Sequence, residues 1–140
     1  MIRGLSDALL PVARGQIKSV YGKEEYKNFF NGNGDPIKIV EVYENYTSAF
    51  GMIVNQSGFK SVFAMYNEKG TNSDGEKKLI TQLLYNILRT QTGLIQENTY
   101  QECDEKIKDG LHDNDNYEDL FKEASIALKR AIRTFEIVKK

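Results

Sequence analysis

The sequence has few of the residues that usually build catalytic or metal centres. It contains one cysteine, Cys103, one histidine, His112, and no tryptophan among 140 residues. A single cysteine excludes an intrachain disulfide, and a zinc site normally draws on more cysteine and histidine than this chain supplies. We therefore expect no metal and no cofactor, and an enzyme is the less favoured interpretation.

Long apolar runs and a strong net charge are also missing. No apolar stretch reaches the roughly 18 residues that a membrane span requires, and the formal net charge is -1. This balance excludes a global attraction to nucleic acid or to membranes. Hydrophobic residues make up 40% and charged residues 28% of the chain, which is typical of a folded domain. We expect a single cytoplasmic domain over residues 1–140.

The first half of the chain predicts one helix followed by a sheet. Apolar residues at helical spacing from Leu9 to Tyr21 predict a helix that ends at Gly22. β-Branched and aromatic residues then predict three strands, over residues 37–43, 47–54 and 59–66. The connections are short, so we expect an antiparallel meander whose exposed edges, the first strand among them, invite a partner chain.

The second half predicts three helices. Ser73 and Glu76 have capping-box spacing ahead of a wide apolar face, and Thr99 and Glu102 repeat that spacing. Apolar residues then alternate at spacings of four and three from Tyr117 to Val138. The expected fold class is therefore α+β: an N-terminal helix, a three-stranded antiparallel β-meander, then three helices packing on one face of the sheet.

The glycine-rich stretch over residues 31–36, Asn-Gly-Asn-Gly-Asp-Pro, resembles a phosphate-gripping loop. Such a loop follows a strand and opens a helix, whereas this one precedes a predicted strand. Asn and Gly supply the positive φ angles of turns. We interpret the stretch as a turn that leads into the strand.

Two groups of basic residues are candidate binding sites. A helix start can hold an anion, which predicts an anion site at Ser73, Gly75, Lys77 and Lys78, although every capped helix offers the same backbone groups. The last helix places basic residues on one face, and such a stripe can contact the phosphates of nucleic acid. These residues are Lys122, Lys129 and Arg133.

Catalytic interpretations rest on isolated residues. Cys103 shares an apolar helix face with Tyr100 and Ile107, so the core is its expected place. His112 and Glu41 are the other candidate reactive residues. The acidic run after His112 does not match a calcium loop, because the glycine and the final glutamate of that pattern are absent. It is typical of the acid-rich start of a helix.

The predicted order of helix, three strands and helix, with Lys77 and Lys78 opening the second helix, resembles the double-stranded-RNA-binding domain in topology over roughly residues 7–88. The Gly-Pro-x-His signature of that family is missing, and a leucine-rich run replaces its small-residue helix. The resemblance is therefore an analogy of topology and not a family assignment.

The functional prediction is a small non-enzymatic protein-binding module: an inhibitor, an immunity-type protein, a chaperone or an adaptor with a regulatory role. We expect another protein as partner, including a second copy in a homodimer formed through a sheet edge or the last helix. One alternative is a nucleic-acid or nucleotide binder. The other is a small ligand-binding or enzymatic domain that uses Cys103, His112 or Glu41.

Overall fold

Because apolar residues recur at spacings of three and four, most of the chain is helical. The computed structural model describes residues 4–67, 76–91 and 93–139. Its helices are α1 (Leu5–Val20), α2 (Glu41–Ser57), α3 (Phe59–Asn67), α4 (Lys78–Thr90), α5 (Tyr100–Lys108) and α6 (Tyr117–Ile132). Its strands are β1 (Lys38–Val40) and β2 (Glu136–Val138), and a 3-10 turn spans Glu24–Tyr26.

Helix α6 is the central element of the core. It packs against α1, α2 and α4. Its apolar residues recur at spacings of four and three, and almost every turn of the helix carries buried side chains. Phe121 contacts the rings of Phe59 and Phe63, with centroids 5.5 and 5.1 Å away. The predicted last helix is confirmed, but it ends at Ile132, and residues 136–138 leave it to form β2.

The other predicted helices are confirmed with changed boundaries. Helix α1 ends at Val20 and α4 covers the wide apolar face. The Thr99 hydroxyl caps α5 by accepting a hydrogen bond from the Glu102 backbone N–H at 3.1 Å. Ser73, the predicted cap of α4, lies outside the described residues.

The predicted antiparallel meander is wrong, and with it the α+β class. Residues 41–57 and 59–67 form α2 and α3. The buried residues of α2 (Tyr43, Tyr46, Thr47, Phe50 and Val54) and of α3 (Phe59, Val62, Phe63 and Tyr66) follow helical spacing. Strand preference depends strongly on context, so the packing of one helical stripe against α6 overrode the β-branched and aromatic composition.

The small sheet contains two parallel strands. Lys38, Ile39 and Val40 pair in register with Glu136, Ile137 and Val138. On its other side, Ile39 forms an antiparallel bridge with Phe30, and the Val40 N–H donates to the Phe29 carbonyl at 3.0 Å. Strand β1 is therefore flanked on both sides and is not the exposed edge that the sequence predicted. The topological analogy to a double-stranded-RNA-binding domain is lost with the meander.

The loop over residues 31–36 is exposed and is held at one point. The Tyr21 hydroxyl accepts from the Gly34 N–H at 2.5 Å and donates to the Gly34 carbonyl at 2.8 Å. Gly32 has a φ of 74°, in the region that favours glycine. The turn interpretation is confirmed.

Within the described ranges, no helix has the length and apolar character needed to cross a bilayer.

Candidate functional site

The predicted anion site is only partly described. Ser73 and Gly75 lie outside the described residues, while Lys77 and Lys78 stand at the start of α4. The Lys77 ammonium lies over the rings of Tyr46 and Tyr66, 5.4 and 5.8 Å from their centroids. The positive charge of Lys77 is therefore already engaged in cation–π contacts within the chain.

A shallow open depression of about 380 Å³ lies beside Lys78. Acidic and basic residues lie side by side in its lining. The lining residues are Glu24, Glu25, Lys27, Asn28, Glu76, Lys78, Leu79 and Gln82. Lys27 is bonded to Glu24 at 2.9 Å. Acids and bases therefore offset one another, and the depression lacks the excess of cations that a phosphate site needs.

The predicted basic stripe on α6 is largely paired within the chain. Arg133 donates to Glu44 of α2 at 2.7 Å. The Lys122 ammonium lies 3.5 Å from Glu118 and donates to the Asn55 amide oxygen at 3.1 Å. Lys129 forms no ion pair with a described residue. The stripe thus serves in part to fasten α6 to α2.

The candidate catalytic groups are not brought together as a reactive pair. Cys103 is fully buried on α5, and burial raises the pKa of its thiol, which disfavours the reactive thiolate. No hydrogen bond joins its sulfur to His112 among the contacts of the described residues. Glu41 is the first residue of α2, at a helix start that favours an acid.

His112 instead belongs to a polar cluster, which we call the His112 cluster. Glu97, His112 and Tyr117 are its buried members, and Asp115 is its exposed member. The His112 Nε2 lies 2.8 Å from Glu97 Oε2, and its Nδ1 lies 2.5 Å from Asp115 Oδ2. The Tyr117 hydroxyl donates to Glu97 Oε1 at 2.6 Å. The Tyr117 ring stacks on the imidazole with centroids 3.5 Å apart.

The geometry indicates a protonated imidazole. Both ring nitrogens face carboxylate oxygens, and both can donate only when the ring is a cation. Burial alone would lower the pKa of His112, but its hydrogen bonds with Asp115 and Glu97 raise it. Burial alone would raise the pKa of Glu97, but hydrogen bonds from Tyr117 and His112 lower it. Lys106, 3.9 Å from Glu97, adds a second cation.

The His112 cluster joins two connecting segments. Glu97 precedes α5, whereas the other members lie between α5 and α6 or at the start of α6. Its hydrogen bonds tie the loop before α5 to the turn after it, and the Tyr85 hydroxyl adds a bond to the Glu97 carbonyl at 2.9 Å. All its strong acceptors are occupied internally, so the arrangement is suited to holding loops rather than to transforming a substrate.

Sequence reasoning missed this cluster. Glu97 lies fifteen residues from His112 in the chain, too far away for a local sequence pattern to link the two. The acidic run after His112, which contains Asp115, is typical of an acid-rich helix start and does not by itself indicate a cluster. The available signal was that a glutamate, a histidine and a tyrosine flank one short helix, which can bring its two ends close to one another.

Comparison with known proteins places the chain in a family. No curated protein and no solved structure matches it significantly. A model of the family described as CRISPR-associated protein, Cas_Cmr5, matches residues 7–134. That range runs from the first turns of α1 through α6 and therefore includes the whole helical core. The chain accordingly belongs to the Cas_Cmr5 family of CRISPR-associated proteins.

Proposed function

We propose that the chain is a small, non-catalytic, protein-binding subunit of a multi-protein CRISPR Cmr complex. The match of the family model to residues 7–134 carries this proposal. The match supports a protein-binding module that acts as a subunit of a complex, and it does not support an inhibitor, a chaperone or a regulator specifically. A cytoplasmic location is part of the proposal.

The state of the reactive groups supports a non-catalytic role. The thiol of Cys103 is buried and its pKa is raised. The carboxylates nearest to His112 bind its two ring nitrogens. Neither residue presents an unengaged nucleophile or base to solvent, which a reaction with an external substrate would need.

Reconstitution tests the proposed function. The chain would be mixed with the other purified proteins of a Cmr complex and analysed by size-exclusion chromatography with mass measurement. We expect it to co-elute in a defined stoichiometry. Elution of the chain alone, with the other proteins assembled without it, would contradict the proposal. Sedimentation of the isolated chain tests the accompanying prediction of a homo-oligomer.

The second candidate function is contact with nucleic acid through the basic side of α6. The observation that favours it is Lys129, which forms no ion pair with a described residue and which helical spacing places on the same face as Lys122 and Arg133. A gel-shift titration with single- and double-stranded RNA at about 50 mM salt, where electrostatic affinity is large, tests it. Lys129→Glu should weaken binding, and absence of binding by the wild-type chain removes this candidate.

A further inference from the structure

One segment of this charged chain is almost without charge. Residues 45–67 contain a single charged residue, Lys60, although charged residues make up 28% of the whole sequence. These residues form most of α2 and all of α3. A solvent-exposed helical hairpin normally carries charged residues on its outer side, so their absence here requires an explanation.

Helices α2 and α3 form an antiparallel hairpin around Gly58. The Tyr66 hydroxyl donates to the Tyr46 carbonyl at 2.7 Å, and the rings of Phe50 and Tyr66 lie 5.7 Å apart. Apolar stripes on the inner side bury against the core. The outer side of the hairpin, which we call the neutral face, is exposed and consists chiefly of Ser48, Met52, Gln56, Ser61, Ala64 and Met65.

The neutral face also exposes large apolar side chains. Among the described residues, the large hydrophobic side chains that remain exposed are Met52, Met65 and Leu111, at 57%, 43% and 67%. Two of the three lie on this face. Met52 stands about 180° around α2 from the centre of its buried stripe, at 100° per residue. Methionine at a surface low in charge is typical of the centre of a protein interface.

Ion pairs border the neutral face. Lys60 lies 3.8 Å from Asp113. On the side toward α6, Lys122 is held by Glu118 and Asn55, and Arg133 is bonded to Glu44. An uncharged centre surrounded by polar groups matches the general anatomy of protein interfaces. Helix α2 has 17 residues and is therefore about 25 Å long.

We propose that the neutral face is the surface through which this chain docks onto another protein subunit of the complex, one that presents an uncharged surface with apolar side chains at its centre. This inference rests on the proposed function and adds the location of the interface. Charge complementarity selects the occupant. Nucleic acid needs cations for its phosphates, and the cations at this border are already paired with acids.

Two added lysines test the docking surface. The variant Met52→Lys/Met65→Lys places two charges at exposed positions, so folding is preserved and is checked by thermal unfolding. Its matched control, Ala8→Lys/Ser19→Lys, adds the same charge at exposed positions of α1. Biosensor titrations against the other purified Cmr proteins should show at least a tenfold loss of affinity for the first variant, because each unpaired charge must be desolvated in the interface. The control should stay within about twofold of wild type.

The same variants separate the other occupants. Added lysines would strengthen binding to RNA in a gel shift, so a neutral face that binds RNA gives the opposite sign. If the lysine variant loses self-association in sedimentation while its affinity for the other subunits is unchanged, the face joins copies of this chain and the proposal is overturned. If wild type and variant bind the other subunits equally, the inference is wrong while the proposed function stands. If the wild-type chain binds none of them, the proposed function itself is wrong.

Discussion

Two regions of this chain use charge in opposite ways. Residues 45–67 carry one charged residue, whereas residues 97–117 carry nine charged residues in addition to His112. In the first region apolar rings face inward and the outer side is left neutral. In the second, Glu97 and His112 are buried and bond to each other, while Asp115 and Tyr117 complete their hydrogen bonds. The hairpin therefore derives its stability from apolar packing, and the His112 cluster derives its stability from complete pairing of buried polar groups.

The largest expected effect comes from the inner side of the hairpin. Phe63 is fully buried and contacts the rings of Phe59 and Phe121. Phe63→Ala should lower the free energy of unfolding by about 4 kcal/mol, since it removes a large ring and leaves a cavity. Denaturant unfolding measures the change. The control Met65→Ala, on the exposed side of the same helix, should stay within about 0.5 kcal/mol; similar losses for both would show that the two sides do not differ.

The next effect concerns the His112 cluster. Glu97→Ala removes a buried carboxylate that accepts from His112 and Tyr117, and it leaves the imidazolium with Asp115 alone. We expect the free energy of unfolding to fall by about 3 kcal/mol, as when one partner of a buried pair is removed. Glu105→Ala, an exposed acid on α5, is the matched control and should change stability little. Equal effects would mean that the cluster adds nothing beyond surface charge.

The smallest effect is a dependence of stability on pH. The pKa of His112 is raised from about 6.5, so its contribution is complete below that pH and is lost as pH rises through the folded-state value. The pKa of Glu97 is lowered from about 4.5, so its contribution is present above that pH and is lost on acidification.

His112 and Glu97 therefore stabilise the fold most between these two pH values. Asp115, Lys106 and Tyr117 are the neighbouring groups that face them. Urea unfolding of the wild-type chain from pH 6 to 9 should show decreasing stability, and His112→Gln should flatten this decrease. A variant that keeps the full slope would place the titrating group elsewhere in the molecule.

The helices that carry strong signals could be predicted from the sequence. The apolar face of α4, the Thr99 cap of α5 and the alternating spacing in α6 are local patterns, and each specifies a helix without knowledge of its neighbours. The hairpin could not be recognised in the same way. Its tyrosines, phenylalanines and valines favour strands by composition, and the helical spacing of the residues that became buried was the weaker signal.

The candidate site depended on contacts between distant residues. Burial of Cys103 was predicted because it lies on one apolar helix face. The bonds from Arg133 to Glu44 and from Lys122 to Asn55 join residues that are 89 and 67 positions apart, so no local pattern announces them. The basic stripe could be located from sequence, but its partners on α2, Glu44 and Asn55, could not.

The packing of α1 on α6 has a consequence for synthesis on the ribosome. Arg130 is bonded to Asp7 across 123 positions, and Arg14 donates to Thr134 across 120. Strand β1 likewise acquires β2 only when residues 136–138 are made. At roughly 5–20 residues per second, α1 is translated about 6 to 25 s before the helix that covers it. During that interval the part of its apolar stripe that α6 covers remains open to chaperones or to other nascent chains.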